Sequence, residues 1–182
     1  MKKILLGIFL LFPLFPLHAD NLLSNGDFTD GINHWQGDGV QGSFAGLIVK
    51  LQPAAWTKVY QDTVLHGTQA TLNIAYTLSA DAAFSSVLQG MQQGPDLSKL
   101  LGFPVGPESV SIHPRSWLIF LVEDGQNFTS YVNVAPQFGT SQLQTTGGTI
   151  PNLKGQPGKT LYLVFPPGEG TVILQNVSLS TP

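Results

Sequence analysis

The residues of this 182-residue chain that could do acid–base or nucleophilic chemistry are few and scattered. There is no G-x-S-x-G elbow, no H-E-x-x-H pair, no P-loop and no dinucleotide fingerprint. Past the N-terminal apolar segment three histidines remain, His34, His66 and His113, and none has a partner at metal-ligand spacing. His34 adjoins Trp35 and His66 precedes Gly67, so both read as loop residues rather than general bases. Glycoside hydrolysis needs two carboxylates across a cleft. Glu123-Asp124 runs straight into Gly125 and reads as a hairpin turn, with no spacing that sets a second carboxylate opposite. The chain has no cysteine, which excludes thiol catalysis, cysteine-ligated zinc and disulfide staples. The expectation is a protein that is not an enzyme.

The surface chemistry narrows the partners. Met1-Lys2-Lys3, the apolar run Ile4 to Leu17 and His18-Ala19 have the layout of a secretory signal peptide cut after Ala19. The apolar run is short for a bilayer span, and Pro13 and Pro16 interrupt it. Without Lys2 and Lys3, the 8 basic residues fall to 6 against 11 acidic ones, a formal net charge of −5. That balance argues against nucleic acid and against an anionic membrane surface, so neither is expected as a partner after cleavage. Charged residues make up 10% of the chain, against about a quarter in an average domain. Gly, Ser, Thr, Asn and Gln take their place, a composition suited to neutral ligands outside the cytoplasm, either periplasmic or secreted.

The elements that must position any site are strands. Leu47, Val49 and Leu51 alternate in Gly46–Leu51. In Trp56–Leu65, Trp56, Lys58, Tyr60 and Asp62 fall opposite Val59, Gln61 and Thr63. Ala70–Ala80 alternates cleanly, and Phe128–Ala135, Lys159–Phe165 and Thr171–Leu179 follow the same period. Ser116–Glu123 contains an unbroken apolar run, WLIFLV, which predicts burial on both faces. Short period-2 strands between Gly/Pro turns indicate an all-β sandwich or barrel. Gly147-Gly148 and Gly155–Gly158 read as loops. Residues 81–114 break the pattern. Ala82–Gln93 could form a helix, and Asp96 could cap a helical turn through Leu100-Leu101. Leu97, Leu100, Leu101, Phe103 and Val105 make this long connection oddly apolar. Two readings stand: an insertion packing its leucines on the outside of one sheet, or a lid or docking site for a protein partner.

The opening of residues 20–182 carries the most specific pattern. In Asn21–Trp35, NLLSNGDFTDGINHW, Asn25-Gly26 is a strong turn dipeptide, Asp27 can fix the turn, and Phe28 and Trp35 supply buried aromatic surface. Asn-Gly-Asp-Phe followed by Gly and Trp resembles the start of carbohydrate-binding modules of the family 4/9 type. Val59-Tyr60-Gln61-Asp62-Thr63-Val64 with Gly67, and the closing Leu174-Gln175-Asn176-Val177-Ser178-Leu179, are similar to the same family. Together they cover about a third of the chain. The resemblance implies a galactose-binding-like jelly-roll β-sandwich spanning residues 20–182, with a partly helical insertion at about 81–114.

The resemblance also implies a structural calcium near the joined terminal strands. The family's acidic positions fall here at Thr29 and at Gln175 or Asn176, so charge is lost. Asn25, Asp27 and backbone carbonyls are what remains for a metal, and no resident cofactor is expected.

Its implied function is non-catalytic binding of a poly- or oligosaccharide through an aromatic platform. Candidates for ligand contact are Trp56, Tyr60, Gln61, Arg115, Trp117 and Tyr131. Trp56 opens a strand and is the leading platform residue, with Tyr60 on the same face. Trp117 opens an apolar strand, where a core position competes with that role. Trp35 matches a family position expected in the core. An aromatic that often follows the Gly67 turn is replaced by Ala70. The alternative function is a structural or protein-interaction β-sandwich of the envelope or secreted matrix, without sugar binding, which suits a module that carries no catalytic domain.

Overall fold

The computed structural model describes residues 20–85, 90–92, 94–105, 110–113, 115–123, 129–154 and 157–182. The proposed leader, 1–19, and the Asp124-Gly125 turn lie outside the described residues. In chain order the strands are β1 (Gln36–Gly37), β2 (Val40–Ser43), β3 (Gly46–Lys50), β4 (Thr57–Val64), β5 (Ala70–Leu78), β6 (Ala83–Phe84) and β7 (Gly90–Gln92). After helix α1 (Gly94–Leu101) come β8 (Val110–Ile112), β9 (Trp117–Glu123), β10 (Thr129–Val134), β11 (Gln144–Ile150), β12 (Gly158–Phe165), β13 (Gly168–Glu169) and β14 (Thr171–Ser180).

Ten of these strands form two five-stranded antiparallel sheets. One has the order β1-β4-β12-β9-β10 and the other β11-β5-β14-β3-β2. Alternate residues of each turn inward to a common core. The first sheet contributes Val59, Trp117, Ile119, Leu121, Leu161, Leu163 and Phe165; the second contributes Leu47, Val49, Leu72, Ile74, Leu174 and Val177. This is the β-sandwich that the alternation allowed, in the jelly-roll form that the resemblance implied. Trp117 is sealed in its centre, stacked on Phe165 at 4.6 Å and edge-on to Tyr76 at 5.6 Å.

The N-terminal loop binds the two sheets together. Asn25 takes φ +49°, as its turn requires. Gly26 lies so close to β14 that an added Cβ would stand 2.2 Å from the Val177 carbonyl oxygen. The Val177 N–H donates to the Gly26 carbonyl at 2.7 Å, and the Leu22 N–H donates to Leu179 O at 2.8 Å. On the opposite sheet the Thr63 hydroxyl donates to Leu22 O at 2.8 Å. Phe28 and Trp35, with ring centroids 5.4 Å apart, drop into the core.

The apolar connection after β5 packs on the outside of the first sheet. Leu97, Leu101, Phe103, Val105, Val110 and Ile112 form a second core with Leu118, Phe120, Val122 and Val164. The WLIFLV strand is therefore buried on both faces because the insertion covers its outer one. Within the insertion two expectations are corrected. Ala82–Gln93 is not a helix where it is described: β6 pairs with β13 and β7 with β8. The helix starts at Gly94, so Asp96 lies inside it rather than at its cap. Pro95 suits that first turn, where its missing N–H would have no partner anyway. The helix ends at Gly102 with φ +70°, and the Lys58 ammonium donates to the Leu101 carbonyl at 2.7 Å. Gly147-Gly148 is likewise not a loop but part of edge strand β11, paired with Asn73 and Leu72.

At the far end of β9 a fully buried Glu123 faces Lys159, with N and O 3.6 Å apart. Glu123 Oε1 also accepts the Lys154 N–H, and Lys159 Nζ donates to Lys154 O at 3.2 Å. The pair thus fastens the approach to β12. Among the described residues no helix is long and apolar enough to cross a membrane.

Candidate functional site

Register builds a row of aromatic residues across the outer face of the first sheet. Tyr60 on β4 pairs with Tyr162 on β12, Tyr162 with Phe120 on β9, and Phe120 with Tyr131 on β10. Directly opposed residues of antiparallel strands share a face, so the four rings stand side by side. Tyr60 and Tyr162 are stacked with centroids 5.1 Å apart, and Phe120 and Tyr131 lie at 6.1 Å. Gln36 on β1 pairs with Tyr60 and extends the row by an exposed amide.

The insertion lies over the middle of this row. Phe103 sits flat on Tyr162, centroids 4.1 Å apart and planes within 8°, and edge-on to Phe120 at 5.6 Å. Phe120 is fully buried, whereas Tyr60, Tyr162 and Tyr131 remain half-buried. The Tyr131 hydroxyl accepts the Ser111 N–H at 3.2 Å, and Asn133 Nδ2 donates to Ser111 O at 3.0 Å, tying β8 down. The open end is therefore at Tyr60. Lys58 and Asp62 flank it on the same face, and Asp62 Oδ1 accepts the Thr160 hydroxyl at 2.7 Å. Trp56, just before β4, is half-buried against the second core.

Of the six residues expected at a ligand, Trp56, Tyr60 and Tyr131 share this face. Gln61 and Trp117 do not, and both are corrected here. Gln61 points inward, where its Oε1 accepts the Ser24 N–H at 2.7 Å and its Nε2 donates to Ser24 O at 2.9 Å and His34 O at 3.2 Å. Its polarity serves the N-terminal loop, which would otherwise bury unpaired backbone groups. Trp117 is core. Arg115 is exposed with φ +58° and lines a separate pocket of about 230 Å³ with Ala83, Phe84 and Phe138. Tyr162 and Phe120 were missed as members of the row, and Phe103 as the ring that covers it. The alternation of Lys159–Phe165 marked Tyr162 as opposite Leu161 and Leu163, but only strand pairing sets it beside Tyr60.

In the N-terminal loop, Asn25 and one oxygen of Asp27 are committed to the chain itself. The Asn25 Oδ1 accepts the Asp30 N–H, and its Nδ2 donates to Gly31 O and Asn33 O, each at 3.0 Å. Asp27 Oδ1 accepts both the N–H and the hydroxyl of Thr29, bonds that hold its carboxyl below the usual value. Among the described residues no three His, Asp or Glu side chains are grouped to hold a metal.

No family model and no curated protein matches the sequence. Solved structures do match its fold. A family 61 carbohydrate-binding module, TmCBM61, solved in complex with β-1,4-galactotriose, superposes with a TM-score of 0.54 at 12% identity, over 90% of this chain and 100% of that one. The CBM22-1 xylan-binding domain from Paenibacillus barcinonensis Xyn10C gives 0.54 at 18% identity, over 89% and 94%. A family 4 module gives 0.53 at 16% identity, over 85% and 99%. The fold is thus that of carbohydrate-binding modules of several families, rather than of the 4/9 type in particular.

Proposed function

We propose that this protein is an exported, non-catalytic domain that binds a poly- or oligosaccharide on the outer face of its first sheet. The observation that carries the reading is the half-exposed stack of Tyr60 on Tyr162, with an amide and a carboxylate, Gln36 and Asp62, beside it. Pyranose rings have apolar C–H faces that pack on aromatic rings, while their hydroxyls seek a few fixed polar groups. Trp56 adds apolar surface at the start of β4, and Tyr131 lies at the far end of the row, beyond the rings that Phe103 covers. Similarity to modules solved with galactotriose or described as xylan-binding supports the ligand class. Cleavage after Ala19 would deliver residues 20–182 as one domain to the periplasm or the medium, with neither nucleic acid nor membrane as partner. Titration calorimetry against soluble xylan, glucan and galactan fragments tests the reading. Saturable binding that weakens at least about tenfold in Trp56→Ala or Tyr60→Ala is expected, a loss of about 1.4 kcal/mol.

One observation favours a second reading. Phe103 already occupies the face of Tyr162 on which a sugar would stack. On that reading the sandwich has exchanged sugar binding for protein contact, with the insertion and its exposed Leu100 as the docking surface. Well-folded protein that binds none of the glycans would favour it.

A further inference from the structure

A different part of the molecule holds an open cleft of about 810 Å³, between the N-terminal loop and the β2–β3 hairpin. Its size lies within the usual range of ligand sites. Close backbone approaches fix its walls. At Gly42 an added Cβ would stand 2.9 Å from the Gly31 Cα, and at Gly46, with φ +124°, it would stand 2.1 Å from the Leu174 carbonyl oxygen. Neither position tolerates a side chain, so the two walls of the cleft meet backbone to backbone.

Three side chains in the cleft keep groups that the fold does not use among the described residues. Phe44, at the hairpin tip, is fully exposed and lines the cleft with a ring that packs on nothing. Asp27 commits Oδ1 to Thr29, while Oδ2 accepts no bond among the described residues. At neutral pH this exposed carboxylate is ionised, hence a pure acceptor. Gln175 is the residue at which β14 slips register between Leu174 and Asn176, and its side chain makes no hydrogen bond among the described residues. A bulge commonly re-aims a side chain.

We propose that this cleft is a second carbohydrate-binding site, with Phe44 as its stacking platform and Asp27 and Gln175 as its hydroxyl-binding groups. The ligand class follows from the lining. An aromatic face beside a carboxylate and an amide matches a ring with apolar C–H faces and hydroxyl donors. No lysine or arginine lines the cleft, and Asp27 would repel phosphate or uronate, so the ligand is a neutral glycan. The inference shares the carbohydrate reading proposed above but uses a separate site.

The test is amide chemical-shift mapping of ¹⁵N-labelled protein titrated with xylohexaose, cellohexaose and β-1,4-galactotriose. Saturable shifts at Asp27, Thr29, Ala45, Gly46 and Gln175 are expected with at least one probe. They should weaken at least about tenfold in Phe44→Ala and persist in Trp56→Ala. Because Phe44 packs on nothing, its replacement leaves the fold intact. Shifts confined to the Tyr60–Tyr162 face would overturn the cleft and leave the outer-face reading standing. Shifts confined to the cleft would do the reverse. No shift with any probe, or cleft shifts indifferent to Phe44→Ala, overturns the second site.

Discussion

Phe103 and Tyr162 lie face to face, centroids 4.1 Å apart and planes within 8°, although 59 positions separate them in the chain. One ring belongs to the insertion and the other to the row of aromatics across the first sheet. The contact sets how much of the row faces solvent. Phe103→Ala removes a ring that is nearly buried and packed on two others, so a loss of about 3–5 kcal/mol is expected in chemical denaturation. It also bares Tyr162. Variant protein kept below its denaturation midpoint should bind glycan more tightly than wild type; weaker binding would mean that Phe103 itself belongs to the platform.

Gln61 gives an opposite expectation. Its carboxamide satisfies the Ser24 N–H, the Ser24 carbonyl and the His34 carbonyl inside the protein. Gln61→Leu fits the apolar surroundings but strands those groups, at about 1–3 kcal/mol for each one that water cannot reach. Denaturation midpoints should fall while the glycan dissociation constant of the folded variant stays unchanged. A selective loss of binding would return Gln61 to the ligand site.

Burial pushes the Tyr76 hydroxyl above its ordinary value, where it donates to Gln144 Oε1 at 3.2 Å. The unfolded chain therefore ionises first as pH rises. The contribution is fully present below the unfolded value of 10.0 and is lost as pH climbs through the higher folded value. Stability measured between about pH 9 and 11 should drop less steeply in Tyr76→Phe than in wild type. Identical slopes would contradict this.

With Asn25 fully engaged in its own loop and Asp27 held by Thr29, millimolar calcium should leave the melting temperature unchanged. A ligand that binds only the native state raises it, so a shift of several degrees would reveal a calcium site.

Much of the sandwich was legible because period-2 alternation fixes which residues share a face. It already set Gln61 opposite Tyr60, and the resemblance, with the amide's polarity, nominated Gln61 as a ligand contact. The alternation could not say that a buried loop needed that amide. Trp117 sat on a strand apolar on both faces, where periodicity is silent. Edge strand β11 escaped notice because Gln144-Thr145-Thr146-Gly147-Gly148-Thr149 shows no apolar alternation, its inner face being only thinly covered. The aromatic row needed register, a long-range property, so Tyr60 and Tyr131 could be named singly while Tyr162 and Phe120 could not be set between them. The insertion's apolar content foretold a covered surface, and the tertiary pairing of β6 with β13 overrode the helical look of Ala82–Gln93.

The central claim is that the open end of the row holds sugar. The most direct measurement is the dissociation constant of Tyr60→Ala against wild type, by calorimetry, for whichever neutral oligosaccharide binds tightest, with denaturation midpoints measured alongside. The account predicts a weakening of at least about tenfold, or about 1.4 kcal/mol, in protein kept below its denaturation midpoint. An unchanged dissociation constant on folded protein would contradict it.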